Sequence, residues 1–468
     1  MKCPLVDRTE GVLLPPLSDS RMLALSFISR ASSVFLALVL CVGAVTAPAQ
    51  PARVQTEGEA SSVGPEDTLG RGVLSGGSAD SVRRVEFHEA LRLFEKNNLS
   101  LQRARSEARS FKGEARQAEA YPNPTIQATH EPVWRRGTRQ SETYLNVSQR
   151  VEWAGRSPRI EAARQTFAAA RARASADSAH LALQVAEAYA EAATAETRLR
   201  RLKQVTRVFR QADSSMAERQ TEGDASGYAA RRIRLERARY EQRLAAARLE
   251  AKSSRRMLAR MILSGETPSV AAEPLPSALP PPVSEREALR AALRQRPELR
   301  RWRSEVGAQQ ATLRAARRQA WPDPSLTAGY KRQSDGFEGV FLGVGISLPL
   351  FDRNQGNADA ASARLQAAQS QHSLARREIQ NEVRRAHAAY VSSRRQMNLL
   401  EGDLLTGADD LLRIAQVSYD EGEMSLVELL DAADAYRDAR LRTVDLRADL
   451  WKRYFELLRA TGRPLSLP

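Results

Sequence analysis

The sequence predicts a mainly α-helical chain with a transmembrane β segment, built by duplicating one unit of helices, β-hairpin and long helix pair. Three observations carry this. Short motifs recur about 200 residues apart. Two long stretches place apolar or small residues at alternating steps of four and three. One stretch alternates apolar with small or polar residues at period two.

Composition fits such a chain. Hydrophobic residues make up 42% of the 468 but aromatics only 6%, and Ala and Arg dominate long stretches. That supply builds helices with narrow apolar seams, not a thick globular core. The formal net charge of +15 is nearly all Arg, since Lys occurs only seven times. The arginines are scattered among Glu and Asp, with no basic stripe interleaved with stacking aromatics, so nucleic acid is not expected as a partner.

From the N-terminus, Arg30 precedes the apolar run Val34–Val42, and small residues follow through Ala47-Pro-Ala-Gln50. A positive flank, a short apolar run and an A-x-A-like site make residues 1–49 a signal peptide, with Met22 a candidate start. The run is shorter than the roughly 20 residues of a spanning helix. Cys41 follows Leu40, where a lipidation motif carries a small residue, which argues against a lipid anchor. Cys3 and Cys41 both fall in this segment, so the exported chain has no thiol. Residues 50–84, rich in Gly, Ser, Pro and Glu, form a disordered lead-in.

The duplication follows. Ala120-Tyr-Pro-Asn-Pro124 recurs as Ala320-Trp-Pro-Asp-Pro324, and Glu222-Gly-Asp-Ala-Ser226 as Glu421-Gly-Glu-Met-Ser425. Between them Val185-x-x-x-Tyr189 stands opposite Val383-x-x-x-His387. The repeats are 85–263 and 285–462, joined by a Pro-rich linker at 264–284 that no helix can cross, with 463–468 a tail.

Each half runs through one series. Two helices, over about 86–119 and 285–319, end at boxes holding Pro122 and Pro124, and Pro322 and Pro324, because proline biases its predecessor away from the helical region. Two strands come next. Val340, Leu342, Val344, Ile346, Leu348 and Leu350 alternate with Phe341, Gly343, Gly345, Ser347 and Pro349. Leu145 and Val147 alternate more briefly in the first half. The apolar face, Val340 to Leu348, is expected to meet lipid. Glu131–Gln140 and Lys331–Glu338 are expected to be polar loops.

Then comes a very long helix. Leu181, Val185, Ala188, Ala192, Ala195, Leu199, Leu202, Thr206, Phe209 and Met216 make a coiled-coil seam. Ile379, Val383, Ala386, Tyr390, Met397, Leu400, Leu404, Leu411, Ile414 and Ser418 repeat it. Gly223 and Gly422 end these helices, and Ser226 and Ser425 N-cap the returning ones. Four strands per chain leave open edges that lipid cannot satisfy, so oligomerisation is required. Three chains give twelve strands.

Over about 85–462 the sequence resembles the TolC-like outer-membrane efflux proteins. The resemblance rests on the duplicated Pro boxes and the paired Gly-x-x-Ser turns. Ser148–Arg156 and Leu348–Gly356 look like the cobalt–zinc–cadmium branch, with Trp153-Ala-Gly-Arg156 departing from its usual residues. The resemblance implies an outer-membrane homotrimer, a 12-stranded barrel continued by a helical periplasmic tunnel. It implies partners as well: a periplasmic adaptor (membrane fusion) protein at the turns, an inner-membrane RND-type pump, and outer-membrane lipid. Glu428 and Asp431 match an acidic pair that lines the periplasmic aperture, and i, i+3 spacing puts both on one helical face. The first half has Ala229 and Arg232 there.

The expected function is a passive exit duct, with heavy-metal cations as cargo. A multidrug or type I protein-secretion duct is the alternative within the architecture, and a poreless structural coiled coil the alternative outside it. Dispersed histidines, His88, His130, His180, His372 and His387, show no ligand spacing. No cofactor or enzyme activity is expected, because no catalytic arrangement stands in a site context.

Overall fold

The computed structural model describes residues 83–467 apart from 136, 224–225, 265–269, 278–279 and 402–403. The signal segment with Cys3, Met22 and Cys41 lies outside the described residues, as does the lead-in up to residue 82. The first half holds β1 (Arg83–Val85), α1 (Phe87–Asn97), α2 (Leu99–Glu119), β2 (Thr125–Arg135), β3 (Thr138–Arg150), α3 (Arg156–Glu222) and α4 (Gly227–Ile262). After β4 (Val270–Ala272) come α5 (Glu285–Gln295), α6 (Pro297–Arg318), β5 (Pro324–Gln333) and β6 (Glu338–Ile346). The chain ends with α7 (Gln355–Glu401), α8 (Leu404–Asp420) and α9 (Leu426–Thr461).

Helix α3 runs 67 residues, roughly 100 Å at 1.5 Å per residue. Its seam is buried from Val185 to Met216, with Ala188, Ala192 and Ala195 small enough to bring neighbouring helices close. In the second half the expected seam holds through Ile379, Val383, Ala386, Tyr390 and Met397. Beyond residues 402–403 it slips by one: Leu412, Ala415 and Tyr419 are buried, while Leu411 and Ile414 are exposed. The two sets keep the same spacing of three and four, so an apolar count alone cannot choose between adjacent stripes of a helix with Leu at both 411 and 412.

The strands form a four-stranded antiparallel sheet in the order β2-β3-β5-β6. The polar stretches expected to be loops are largely strand. β2 pairs as far as Arg135 with Thr138, and β5 reaches Gln333, leaving tight turns with Gly137 at φ +89 and Gly336 at φ +94. Polar residues tolerate a ladder when their side chains face water, and pairing satisfies their backbone regardless. The period-two stretch is shorter than expected. β6 ends at Ile346, because Pro349 offers no donor to a ladder, and Leu348 and Leu350 lie beyond it.

The lead-in and the linker also differ from expectation at their inner ends. Arg83–Val85 pairs in parallel with Val270–Ala272, so residues 83–84 are strand and the linker contributes one. This pair covers a core of Phe87, Phe94, Tyr189, Trp451 and Phe455, with Phe87 stacked on Phe455 at 5.1 Å. Linker carbonyls are used as acceptors. Trp451 Nε1 donates to Pro276 O at 3.1 Å, and Tyr390 Oη to Pro280 O at 2.6 Å. His387 Nε2 lies 2.8 Å from Val283 O, a satisfied structural histidine.

One buried charge cluster fixes the second half. Arg296, between α5 and α6, is 2% exposed. It pairs with Glu298 at 2.9 Å and Glu382 at 2.7 Å and donates to Ala460 O at 3.2 Å. Arg459 reaches the same two carboxylates at 3.0 and 2.6 Å. Burial works against ionised Glu298, yet the hydrogen bond and charge of Arg296 hold its carboxyl below the ordinary range.

Candidate functional site

The sheet has two unlike faces, and the register shows why. On one face Ile126, Val147, Ala328 and Leu342 form one row, and Ala128, Leu145, Tyr330 and Val340 the next. Leu326 opposes Val344, and Pro324 opposes Ile346. The predicted apolar residues of β6 are all strongly exposed, Val340 by 81%. Leu348 is exposed as well, past the strand's end. The opposite face carries Gln127 beside Asn146, and Ser148 beside Thr327. Gly339, Gly343 and Gly345 leave it bare along β6. The Phe341 ring occupies the space over Gly329 where a side chain would stand.

Near the turns this polar face holds a cluster the sequence does not announce. Glu142 accepts hydrogen bonds from Tyr144 and Gln333, and Lys331 Nζ stands 2.9 Å from its carboxylate. Glu142 and Gln333 are 191 positions apart, so only the strand register brings them together.

The proline boxes lie at the other end of the sheet. Pro322 O accepts from Trp153 Nε1 at 2.7 Å, and Pro122 O from Gln149 Nε2 at 2.9 Å. Pro324 opens β5, and its carbonyl accepts from Val151 N at 2.8 Å. Pro124 stands just before β2. Trp153 meets Trp321 edge-on at 6.3 Å, and Arg156 lies 4.0 Å over the Tyr121 ring. At the turn end the apolar face becomes polar, with His130 beside Thr143 and Arg332 beside Glu338, and Trp134 is exposed beyond them.

At the far ends of the long helices the two returns are built alike. Gly223 and Gly422 take φ +88 and +81, the left-handed region where a side chain would be strained. Ser226 Oγ accepts from Ala229 N at 3.2 Å. Ser425 and Glu428 form a complete capping box. The hydrogen bonds from Ser425, first from its backbone N–H, hold the Glu428 carboxyl below its ordinary range. Asp431 is exposed one turn on. In the first half Arg232 of the corresponding face pairs with Glu236 instead. Tyr228 and Val427, each two residues past a capping serine, are 75% and 69% exposed, a symmetry that motif reasoning missed. Arg219 Nη2 ties the returns together by donating to Asp420 O at 2.9 Å. No group of His, Cys, Asp and Glu suited to a metal ion occurs among the described residues.

Residues 288–463 match the family model described as outer membrane efflux protein. Across its length the chain is similar to the cobalt-zinc-cadmium resistance protein CzcC of Cupriavidus metallidurans. The two are 27% identical over 381 residues, covering 81% of this chain and 90% of that one. Among solved structures, CusC superposes with a TM-score of 0.65 at 23% identity, covering 81% of this chain and 92% of CusC. The Campylobacter jejuni CmeC outer membrane channel gives 0.67 at 17%, covering 80% and 85%. The family match, the fold and the two-faced sheet agree: residues 288–463 match the outer membrane efflux protein family, and the chain as a whole is similar in sequence to CzcC and in fold to outer-membrane channels.

Proposed function

We propose that three copies of this chain close their sheets into one 12-stranded barrel, continued by a tunnel of long helices. The assembly acts as the passive exit duct of a pump–adaptor–duct efflux system. The observation that carries this is the sheet itself. It exposes an apolar face, and its outer strands β2 and β6 each have a single neighbour among the described residues. Unpaired backbone has no acceptable partner in hydrocarbon, so closure with further copies is the physical remedy. The apolar face then meets lipid and the polar face lines the lumen.

The far ends suit two roles. The returns with Gly223, Ser226, Gly422 and Ser425, and the exposed Tyr228 and Val427, are rigid knobs for the hairpins of a periplasmic adaptor. Glu428 and Asp431 of three copies put six carboxylates around the aperture, a ring that favours cations. Cargo is inferred from the CzcC likeness: divalent heavy-metal cations delivered by an RND-type pump. A duct needs no tight metal site, because tight binding slows transit.

Deleting the gene should sensitise the host to zinc, cobalt or cadmium, with rescue by the intact gene. Unchanged metal tolerance with raised drug sensitivity would reassign the cargo.

A further inference from the structure

The apolar face does not stop where the ladder stops. Val151, Pro324 and Ile346 occupy the last row of the sheet. Two residues beyond that row along each chain come Trp153, Pro322 and Leu348. Trp153 is 63% exposed, and beyond Leu348 come Leu350 and Phe351, the latter 93% exposed. A lone exposed Leu needs no explanation, but three exposed apolar residues in four, at the end of the sheet where Trp153 and Trp321 are also exposed, form a patch.

The segment is held rigidly. Leu350 N donates to Leu348 O at 2.9 Å, giving the apolar part a tight bend. Immediately after it the chain turns polar and grips the helices. Asn354 N donates to Asp352 Oδ1 at 2.9 Å, and Asn354 Nδ2 donates to Ala316 O at 2.8 Å and Gln319 Oε1 at 2.9 Å. Gln355 Oε1 accepts from Arg353 N at 2.8 Å. One end is therefore bolted to α6 and α7 while the other presents Leu348, Leu350 and Phe351 outward, with exposed Arg353 beside them.

We propose that Leu348–Phe351 is an interfacial anchor inserted into the periplasmic leaflet of the outer membrane. Phe351 and the two leucines sit at the acyl–headgroup boundary, and Arg353 meets lipid phosphate. The occupant is lipid because the patch continues the face that meets lipid in the barrel, and because Trp153 and Trp321 flank its level as interfacial residues do. Apolar side chains next to a cation, fixed at one depth, set the height at which the barrel rides in the bilayer. This inference rests on the barrel reading above.

The test is spin labelling of the processed protein, the chain without its signal segment, reconstituted in phospholipid vesicles. Cys3 and Cys41 lie in the predicted signal segment, so a single introduced cysteine is the only thiol of the processed protein. Labels go at Phe351→Cys and Leu348→Cys, at Leu342→Cys on the barrel face, and at exposed Ala363→Cys on α7. Collision with oxygen and with a water-soluble nickel chelate gives depth. The expected result is that 348 and 351 are oxygen-accessible and shielded from nickel, with a ratio several-fold above that at 363 and below that at 342. Nickel access equal to that at 363 overturns the anchor in favour of water. Shielding from both reagents overturns it in favour of a neighbouring copy. If the label at 342 itself is not in lipid, the barrel reading falls, and the anchor with it.

Discussion

The carboxylate of Glu428 accepts from Ser425 N at 2.9 Å and from Ser425 Oγ at 2.8 Å, so the residue proposed for the aperture also caps the helix that carries it. Charge and structure are therefore entangled at 428 and separable at 431. Asp431→Asn should lower cation preference with the helix intact. Glu428→Gln, which keeps an acceptor at the third helical position, should do the same. Glu428→Ala should in addition fray the start of α9. Reversal potentials in a salt gradient, paired with amide exchange at residues 426–430, separate the two effects.

Lowering the pH should loosen the same turn. The folded-state pKa of Glu428 lies below that of the unfolded chain, so its contribution is present above the ordinary carboxylate range. It is lost as pH falls through the depressed value. Glu298, held down by Arg296, adds to the loss in the same direction. Amide protection of α9 measured from neutral pH down to below the ordinary Glu value should fall in wild type and stay flatter in Glu428→Gln.

Tyr240 on α4 joins the halves near their far ends. Its hydroxyl donates to Asp434 at 2.6 Å and accepts from Arg437 at 2.9 Å, both on α9. Burial pushes the phenol above its usual range, so it stays a donor. Tyr240→Phe keeps the ring stacked on Phe209 at 4.2 Å but removes charge-assisted bonds, a loss of about 1.5–3 kcal/mol. The duct should then open more readily. The readout is a higher open fraction in single-channel records together with a lower denaturation midpoint.

Arg296→Ala should be among the most damaging substitutions outside the pore. It strands Glu298 and Glu382 beside Arg459 alone, at a cost of about 3–5 kcal/mol for breaking a buried pair. Gly462→Ala attacks the same junction by another route. At φ +74 a Cβ would stand 2.9 Å from Arg296 N. Denaturation of the two single variants and the double should show less than additive losses.

Much of this was legible because the signals are local. Gly223 and Ser226 announce a helix return by conformational preference, and Val185 to Met216 announce a seam by period. The strand ends were not, because polarity at Glu131 or Lys331 says where a side chain wants to be, not whether its backbone is paired. Nor was the slip from Ile414 to Ala415, since adjacent stripes on one helix carry similar apolar counts. The Glu142–Lys331 cluster and the Arg296 network were invisible for a different reason. Their members come from opposite halves of the chain or from separate helices, and only the assembled register brings them together.

The proposed duct depends on the sheet being the wall of a pore. The direct measurement is conductance across a planar lipid bilayer after adding the purified full-length protein. The account predicts discrete steps from a trimer, cation-preferring in a salt gradient and less so for Asp431→Asn. A folded protein that inserts in the bilayer yet passes no current when the adaptor-facing ends are freed by Tyr240→Phe would contradict it.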